Sequence, residues 1–282
     1  MAGRSDWEEL GSGVFVRRYQ FFNQDIGLVI GDDAALVVDT RSSHRQGREI
    51  QDDIRRLTPR PWLVVNTHHH FDHTFGNAVF TPAPIWGHER CVTALERWGE
   101  RSKQDVAREM PDLAEEIAEV RIVAPTRTFD RSATVDLGGR SVELRHLGRA
   151  HTDNDIVVIV PDAGVVFAGD LVEEGGPPYF GDSYPLEWPA TDVALLGLAK
   201  GPVVPGHGAI VDAAFVRDQL GQIEAGVAAA RRAHDEGWPI ESAVRDVPFP
   251  EPAAQDLLRR AFDQLGGEAS ASADGRSNPG RE

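Results

Sequence analysis

Thr67-His68-His69-His70-Phe71-Asp72-His73 follows directly on the apolar run Trp62-Leu63-Val64-Val65. It places three candidate metal-binding histidines, His68, His70 and His73, and the carboxylate Asp72 at what reads as a strand end. This feature limits the fold more than any composition does, because groups that share a metal must converge. If the chain stays extended through His68-His69-His70, alternation puts His68 and His70 on one side and turns His69 away. A turn after His70 then lets Asp72 and His73 face the same cavity from the other flank, within reach of a second metal. Zinc sites usually need about three or four protein ligands, so neither pair is complete and the rest must come from downstream.

Three isolated ligand-type residues follow, each beside small or turn-forming neighbours: His151 in Gly148-Arg149-Ala150-His151-Thr152, Asp170 in Phe167-Ala168-Gly169-Asp170, and His207 in Pro205-Gly206-His207-Gly208. Small neighbours let a backbone come close to a buried ion. Seven candidate ligands suit two metals.

The block at 67 to 73, followed in order by the single histidine, the Gly-Asp and the Gly-His-Gly, resembles the metallo-β-lactamase superfamily of metallohydrolases, from about Val14 to about His207. The resemblance implies an α/β (α+β) fold, a four-layer αβ/βα sandwich of two similar halves with the metals at one edge of the paired sheets. It also implies roles. His68, His70 and His151 hold one metal, Asp72, His73 and His207 hold the other, and Asp170 bridges both. Two Zn2+ are the expected cofactors, with iron or manganese as alternatives because ligand type alone does not fix the metal.

On this reading the two cations lower the pKa of a shared water, and the resulting bridging hydroxide attacks an ester-like bond (thioester, lactone or amide) of a small molecule. Asp72 is the catalytic residue, orienting that water. The family also contains zinc β-lactamases, which commonly lack a carboxylate where this chain has Asp170. A β-lactamase-like amidohydrolase is therefore the runner-up. A mononuclear iron persulfide dioxygenase is the alternative from another class. A closed structural zinc site is disfavoured, since such sites tend to be Cys-rich and the chain has one cysteine. A non-catalytic metal-binding protein does not account for seven ligands.

Other polar residues receive plainer readings. His44, His69, His88, His146 and His234 are expected to be surface or satisfied core residues. Asp39, after Leu36-Val37-Val38, has two equal readings: a turn cap, or an acceptor that orients a histidine of the block. Tyr179 and Tyr184 lie in the turn-rich segment after Asp170, which is expected to hang over the site. Either tyrosine can be a donor to a bound carbonyl or plain aromatic packing.

The chain has 29 basic and 45 acidic residues and a formal charge of -16, a surface that repels a nucleic-acid backbone. Only two basic residues are lysines, Lys103 and Lys200. Cys91 stands alone, so an intrachain disulfide is excluded and a reducing, cytoplasmic setting is expected. No apolar run reaches the length of a membrane span. The expected partner is a small-molecule substrate, and the oligomeric state is not readable.

Short β-branched or aromatic runs predict strands at Val14–Phe21, Ile26–Ile30, Ala34–Asp39, Trp62–Asn66 and Thr81–Trp86. A second series follows at Thr126–Phe129, Ala133–Leu137, Ser141–Leu147, Ile156–Val160, Val165–Ala168 and Val203–Val204. Helices are expected at Arg45–Leu57, twice within Glu89–Val120 as a wall over the metals, and at Thr191–Ala199, Ala213–Glu236 and Pro252–Leu265. A single domain over residues 1–265 is expected, with 266–282 as a disordered tail.

Overall fold

Strands whose two faces are both apolar must be covered on both sides, and the computed structural model, which describes residues 7–274, arranges them that way. The first half contains β1 (Glu8–Gly11), β2 (Val14–Tyr19), β3 (Gln24–Ile30), β4 (Ala35–Val38), α1 (His44–Arg55), β5 (Trp62–Val65), α2 (Phe71–Thr74), α3 (Asn77–Phe80), β6 (Ile85–His88), α4 (Glu89–Glu109), α5 (Ala114–Ala118) and β7 (Arg127–Phe129). The second half contains β8 (Ser132–Asp136), β9 (Ser141–Arg145), β10 (Val157–Val160), β11 (Val165–Glu173), α6 (Trp188–Leu198), β12 (Val203–His207), α7 (Ala213–Asp235), α8 (Ile240–Ala243) and α9 (Ala253–Asp274).

Hydrogen bonding runs in the order β7-β6-β5-β4-β3-β12-β11-β10-β9-β8, with β2 also on β3 and β1 on β2. Strands β4 to β7 are mutually parallel, as are β11 and β12. The two half-sheets meet at one residue pair, His207 with Gln24. Period-two alternation sorts the side chains into layers. In β4, Leu36 and Val38 face inward to a cluster shared with Val158, Val160, Val165 and Phe167 of the other half. Ala35 and Val37 face outward under Ile50 and Ile54 of α1. In the second half, Val157, Ile159 and Val166 face outward to a cluster that includes Leu195, Ile223 and Leu257 from α6, α7 and α9. The result is helix, sheet, sheet, helix.

Several boundaries differ from the sequence reading. β6 starts at Ile85 rather than Thr81, because Pro82 and Pro84 have no N–H to give a ladder. β2 stops at Tyr19, and Phe21–Asn23 forms a 3-10 turn with Phe22 and Asn23 at positive φ. β11 extends past Ala168 to Glu173 and so carries Asp170 within a strand. β1 and the short α8 lack a strong periodic signal and were not expected. The segment expected as a tail from Gly266 continues α9 as far as Asp274, and its remaining residues, 275–282, lie outside the described residues. Among the described residues no helix is long and apolar enough to cross a membrane.

Candidate metal centre

The block leaves the carboxyl end of β5, next to the carboxyl end of its parallel neighbour β4, the usual place for a site in such sheets. Asp39, just after β4, accepts from the Thr67 backbone N–H and hydroxyl, both at 2.8 Å, and so pins the start of the block. His70 then adopts extended backbone and caps the one-turn α2, which swings Asp72 and His73 around. The turn is held from three sides. The Asn66 amide and the Thr40 hydroxyl donate to the His73 carbonyl, both at 3.1 Å. The Thr74 hydroxyl donates to the His70 carbonyl at 2.9 Å, and the Gln24 amide donates to the Asp72 carbonyl.

His151 comes from the β9–β10 connection, Asp170 from β11 and His207 from the end of β12. Two glycines permit this approach. A side chain at Gly206 would collide with the Asp170 carboxylate, and Gly169, at φ +55°, lies where a Cβ would come within 2.8 Å of Thr67.

The seven predicted residues converge in two groups, His68, His70, His151 and Asp170, and Asp72, His73 and His207; within each group the ligand atoms lie within 4.8 Å of one another. His70 Nδ1 faces His151 Nε2 at 2.9 Å. His73 Nε2 and His207 Nε2 are 3.4 Å apart, with Asp72 Oδ2 at 3.5 and 3.3 Å from them. Asp170 lies between the groups: its Oδ2 is 3.7 Å from His68 Nε2, 3.5 Å from His151 Nε2 and 3.3 Å from His207 Nε2, and its Oδ1 is 3.3 Å from His73 Nε2.

The outward nitrogen of each ring is occupied. His73 Nδ1 meets Asp39 at 2.8 Å, His207 Nδ1 the Phe22 carbonyl at 2.8 Å, and His151 Nδ1 the Tyr179 carbonyl at 3.2 Å. His68 Nδ1 meets the Thr67 hydroxyl at 3.1 Å, and His70 Nε2 meets Asp182 at 3.1 and 3.2 Å. Donation outward leaves lone pairs pointing inward, as metal-binding imidazoles require. His68 Nε2 and Asp170 Oδ1 are buried without a hydrogen-bond partner. Such orphaned atoms are costly unless a cation fills the space between them, and a set of five imidazoles and two carboxylates suits zinc.

Charge is balanced within the cage. Burial works to raise Asp170, but the His73, His207 and His68 rings hold it well below the usual carboxylate range. Burial also works to lower His73, and Asp170, Asp72 and Asp39 push it well above the ordinary value. Burial takes His151 down to about 4. For His70, burial is opposed mainly by Asp182, which brings the ring up to about 9.

Asp39 is resolved in favour of the orienting reading. Asp182, held in the segment after β11, and Glu173, which burial and then Asp170 push up to about 8, were not picked out from the sequence. The plain reading suits His44, which accepts from Arg121 N–H at 3.0 Å, His88, which caps α4, and His146, 2.7 Å from the Asp155 carbonyl. His69 departs from it. Although turned from the central cage, it lines the cavity above, 3.6 Å from Asp182. That cavity has a volume of about 950 Å³ and is walled by α4 and by the segment after β11. Tyr179 lines it, with its ring centre 5.9 Å from that of His70. Tyr184 instead stacks under Arg149 at 4.4 Å.

A family model described as the metallo-beta-lactamase superfamily matches residues 19–252. The chain belongs to the metallo-beta-lactamase superfamily. It is similar to the acyl-coenzyme A thioesterase MBLAC2 of Homo sapiens, 29% identical in an alignment of 192 residues that covers 60% of this chain and 66% of that protein. It thus spans just under two thirds of that relative. It is also similar to the metallo-beta-lactamase type 2 of Bacteroides fragilis, 31% identical over 138 residues, 46% of this chain and 53% of that one. Among solved structures, DIM-1 metallo-beta-lactamase has the same fold, with a TM-score of 0.61 at 20% identity over 77% of this chain and 96% of that one. These two named relatives, a thioesterase and a β-lactamase, are both hydrolases.

Proposed function

We propose that the protein is a dinuclear zinc hydrolase of an ester-like bond, thioester, lactone or amide, in a small molecule. The observation that carries this reading is the position of Asp170, whose carboxylate lies within 3.7 Å of ring nitrogens from both groups. His68, His70 and His151 would hold one ion and Asp72, His73 and His207 the other, with Asp170 shared. When bound, two zinc ions supply a water of lowered pKa and Lewis acidity toward a substrate oxygen.

The chain's own groups do the rest. Asp39 and the Tyr179 and Phe22 carbonyls fix ring orientation, so little reorganisation accompanies reaction. Asp72 faces the histidines through Oδ2, and its other oxygen would accept a hydrogen bond from the attacking water. The cavity wall from α4 and the Tyr179 segment shields the bond being cleaved. The thioester form is supported by the similarity to the acyl-coenzyme A thioesterase. An amide is the second choice, supported by the similarity to the Bacteroides fragilis β-lactamase. The buried lone Cys91 and the net charge of -16 support a cytoplasmic enzyme that does not act on nucleic acid.

Elemental analysis of the zinc-reconstituted protein, followed by a panel of thioesters, lactones and chromogenic cephalosporins, tests the reading. Two equivalents of zinc and turnover of a thioester or lactone are expected. A plateau at one equivalent, or oxygen uptake with a persulfide in the iron-loaded form, would replace it with the mononuclear alternative.

A further inference from the structure

Four large apolar side chains are exposed among the described residues, and three of them, Phe22 at 40%, Trp98 at 45% and Tyr179 at 54%, line the one cavity above the metal centre. Exposed aromatic side chains gathered at one mouth mark a binding surface. Below them the wall is apolar. Phe71, Phe75, Val106 and Met110 belong to the hydrophobic cluster between α2, α4 and α5, and they also line the cavity, so this cluster is open on its active-site side. An unbranched apolar chain fits such a wall, since its methylenes leave water along the whole length.

The charged groups of the cavity point the same way. Outside the candidate metal ligands, five carboxylates line it, Asp105, Glu109, Glu173, Glu174 and Asp182, against a single guanidinium, Arg101. Arg101 lies 3.5 Å from Asp105 and is engaged there, while Arg108 pairs with Asp105 at 2.8 Å and Glu109 at 3.3 Å. Even without Glu173, which lies 3.9 Å from His151 at the metal centre, four carboxylates face that one guanidinium along the wall of a protein already at -16. Away from the metal ions, a phosphate-bearing leaving group entering here would meet those carboxylates and no free cationic side chain.

We propose that the substrate carries a long apolar acyl chain on an uncharged leaving group, with the chain lying along α4 between Trp98 and Phe75. This rests on the hydrolase reading above and narrows it. It also separates this chain from its relative named for acyl-coenzyme A, whose substrate head is a polyanion.

Calorimetric titration of the zinc-loaded protein with two thioethers, S-decyl-N-acetylcysteamine and S-decyl-coenzyme A, tests the inference. At an ionic strength of about 0.01 M the neutral ether should bind about tenfold more tightly, with the gap closing at about 0.5 M as repulsion is screened. Affinity in the neutral series should rise by up to about fourfold per methylene until the groove is full. Trp98→Ala, at a position 45% exposed and outside the hydrophobic clusters, should flatten that rise. Equal or tighter binding of the coenzyme A ether, or no dependence on alkyl length, would overturn the proposal. The matched decanoyl thioesters form the second arm. If the neutral ether binds as stated and neither thioester is cleaved, the hydrolase reading fails while the binding inference stands.

Discussion

Asp170 and His69 line the same cavity yet should respond to substitution in opposite ways. The Asp170 carboxylate is 6% exposed and lies against four imidazoles, so Asp170→Ala leaves those nitrogens without the one group that faces both half-sites. The expected outcome is loss of at least one zinc equivalent by elemental analysis and a fall in turnover of more than about 100-fold, above the usual effect of an outer partner. His69→Ala should keep two zinc ions, because His69 belongs to the Asp182 side of the cavity. Asp39→Ala removes the acceptor at 2.8 Å from His73 Nδ1 and from the Thr67 N–H. Metal affinity measured by competition with a chelator should drop by about 10- to 100-fold.

Loops and helices position these side chains in turn. α9 reaches the segment after β11 through Arg260, whose Nε donates to the Ser183 carbonyl at 2.9 Å, and Asp182 next to it holds His70. Arg260→Ala should loosen that segment, read as faster hydrogen exchange over residues 176–186, with a smaller loss of zinc affinity than Asp39→Ala causes. The same segment supplies Tyr179, whose carbonyl orients His151, so a structured turn serves two rings of the candidate metal centre. α4 has a different part. It lines the cavity without supplying a candidate ligand, and its residues are expected to alter substrate choice more than metal content.

Stability couples the two half-sheets to the site between them. Ions held by residues that follow β5, lie in β11 and end β12 would stabilise only the folded chain, so the zinc-saturated protein should melt on the order of 10 °C above the stripped protein. Asp25, on β3 beside the junction, is 5% exposed with one carboxylate oxygen unpartnered, and burial pushes it up to about 8. A carboxyl with a folded pKa above its ordinary value costs stability as pH rises from that ordinary value, 3.8, through about 8. Asp25→Asn should therefore raise Tm by about 4 °C at pH 8, with the gain gone at pH 4, and a thermal melt at the two pH values reads it.

Much of this was legible before folding. Of the residues that converge at the candidate metal centre, His68, His70, Asp72 and His73 stood out because a cluster of ligand-type residues in a strand-ending block is a local pattern, and His151, Asp170 and His207 because each is a ligand-type residue among small neighbours. The layer order followed from period-two alternation with both faces apolar, a property written in each strand. What only the folded chain decided depends on contacts between distant segments. Asp39 became an orienting acceptor because β4 pairs in parallel with β5, Val38 against Val65, which puts it beside Thr67 and His73. Asp182 lies 112 residues from His70 in sequence. The Phe22 and Tyr179 carbonyls that orient two rings belong to the backbone, which is the same at every position. Ligand chemistry is carried by side-chain identity and can be read in one dimension, whereas the partners that aim those ligands are selected by distance alone, and distance exists only in the folded molecule.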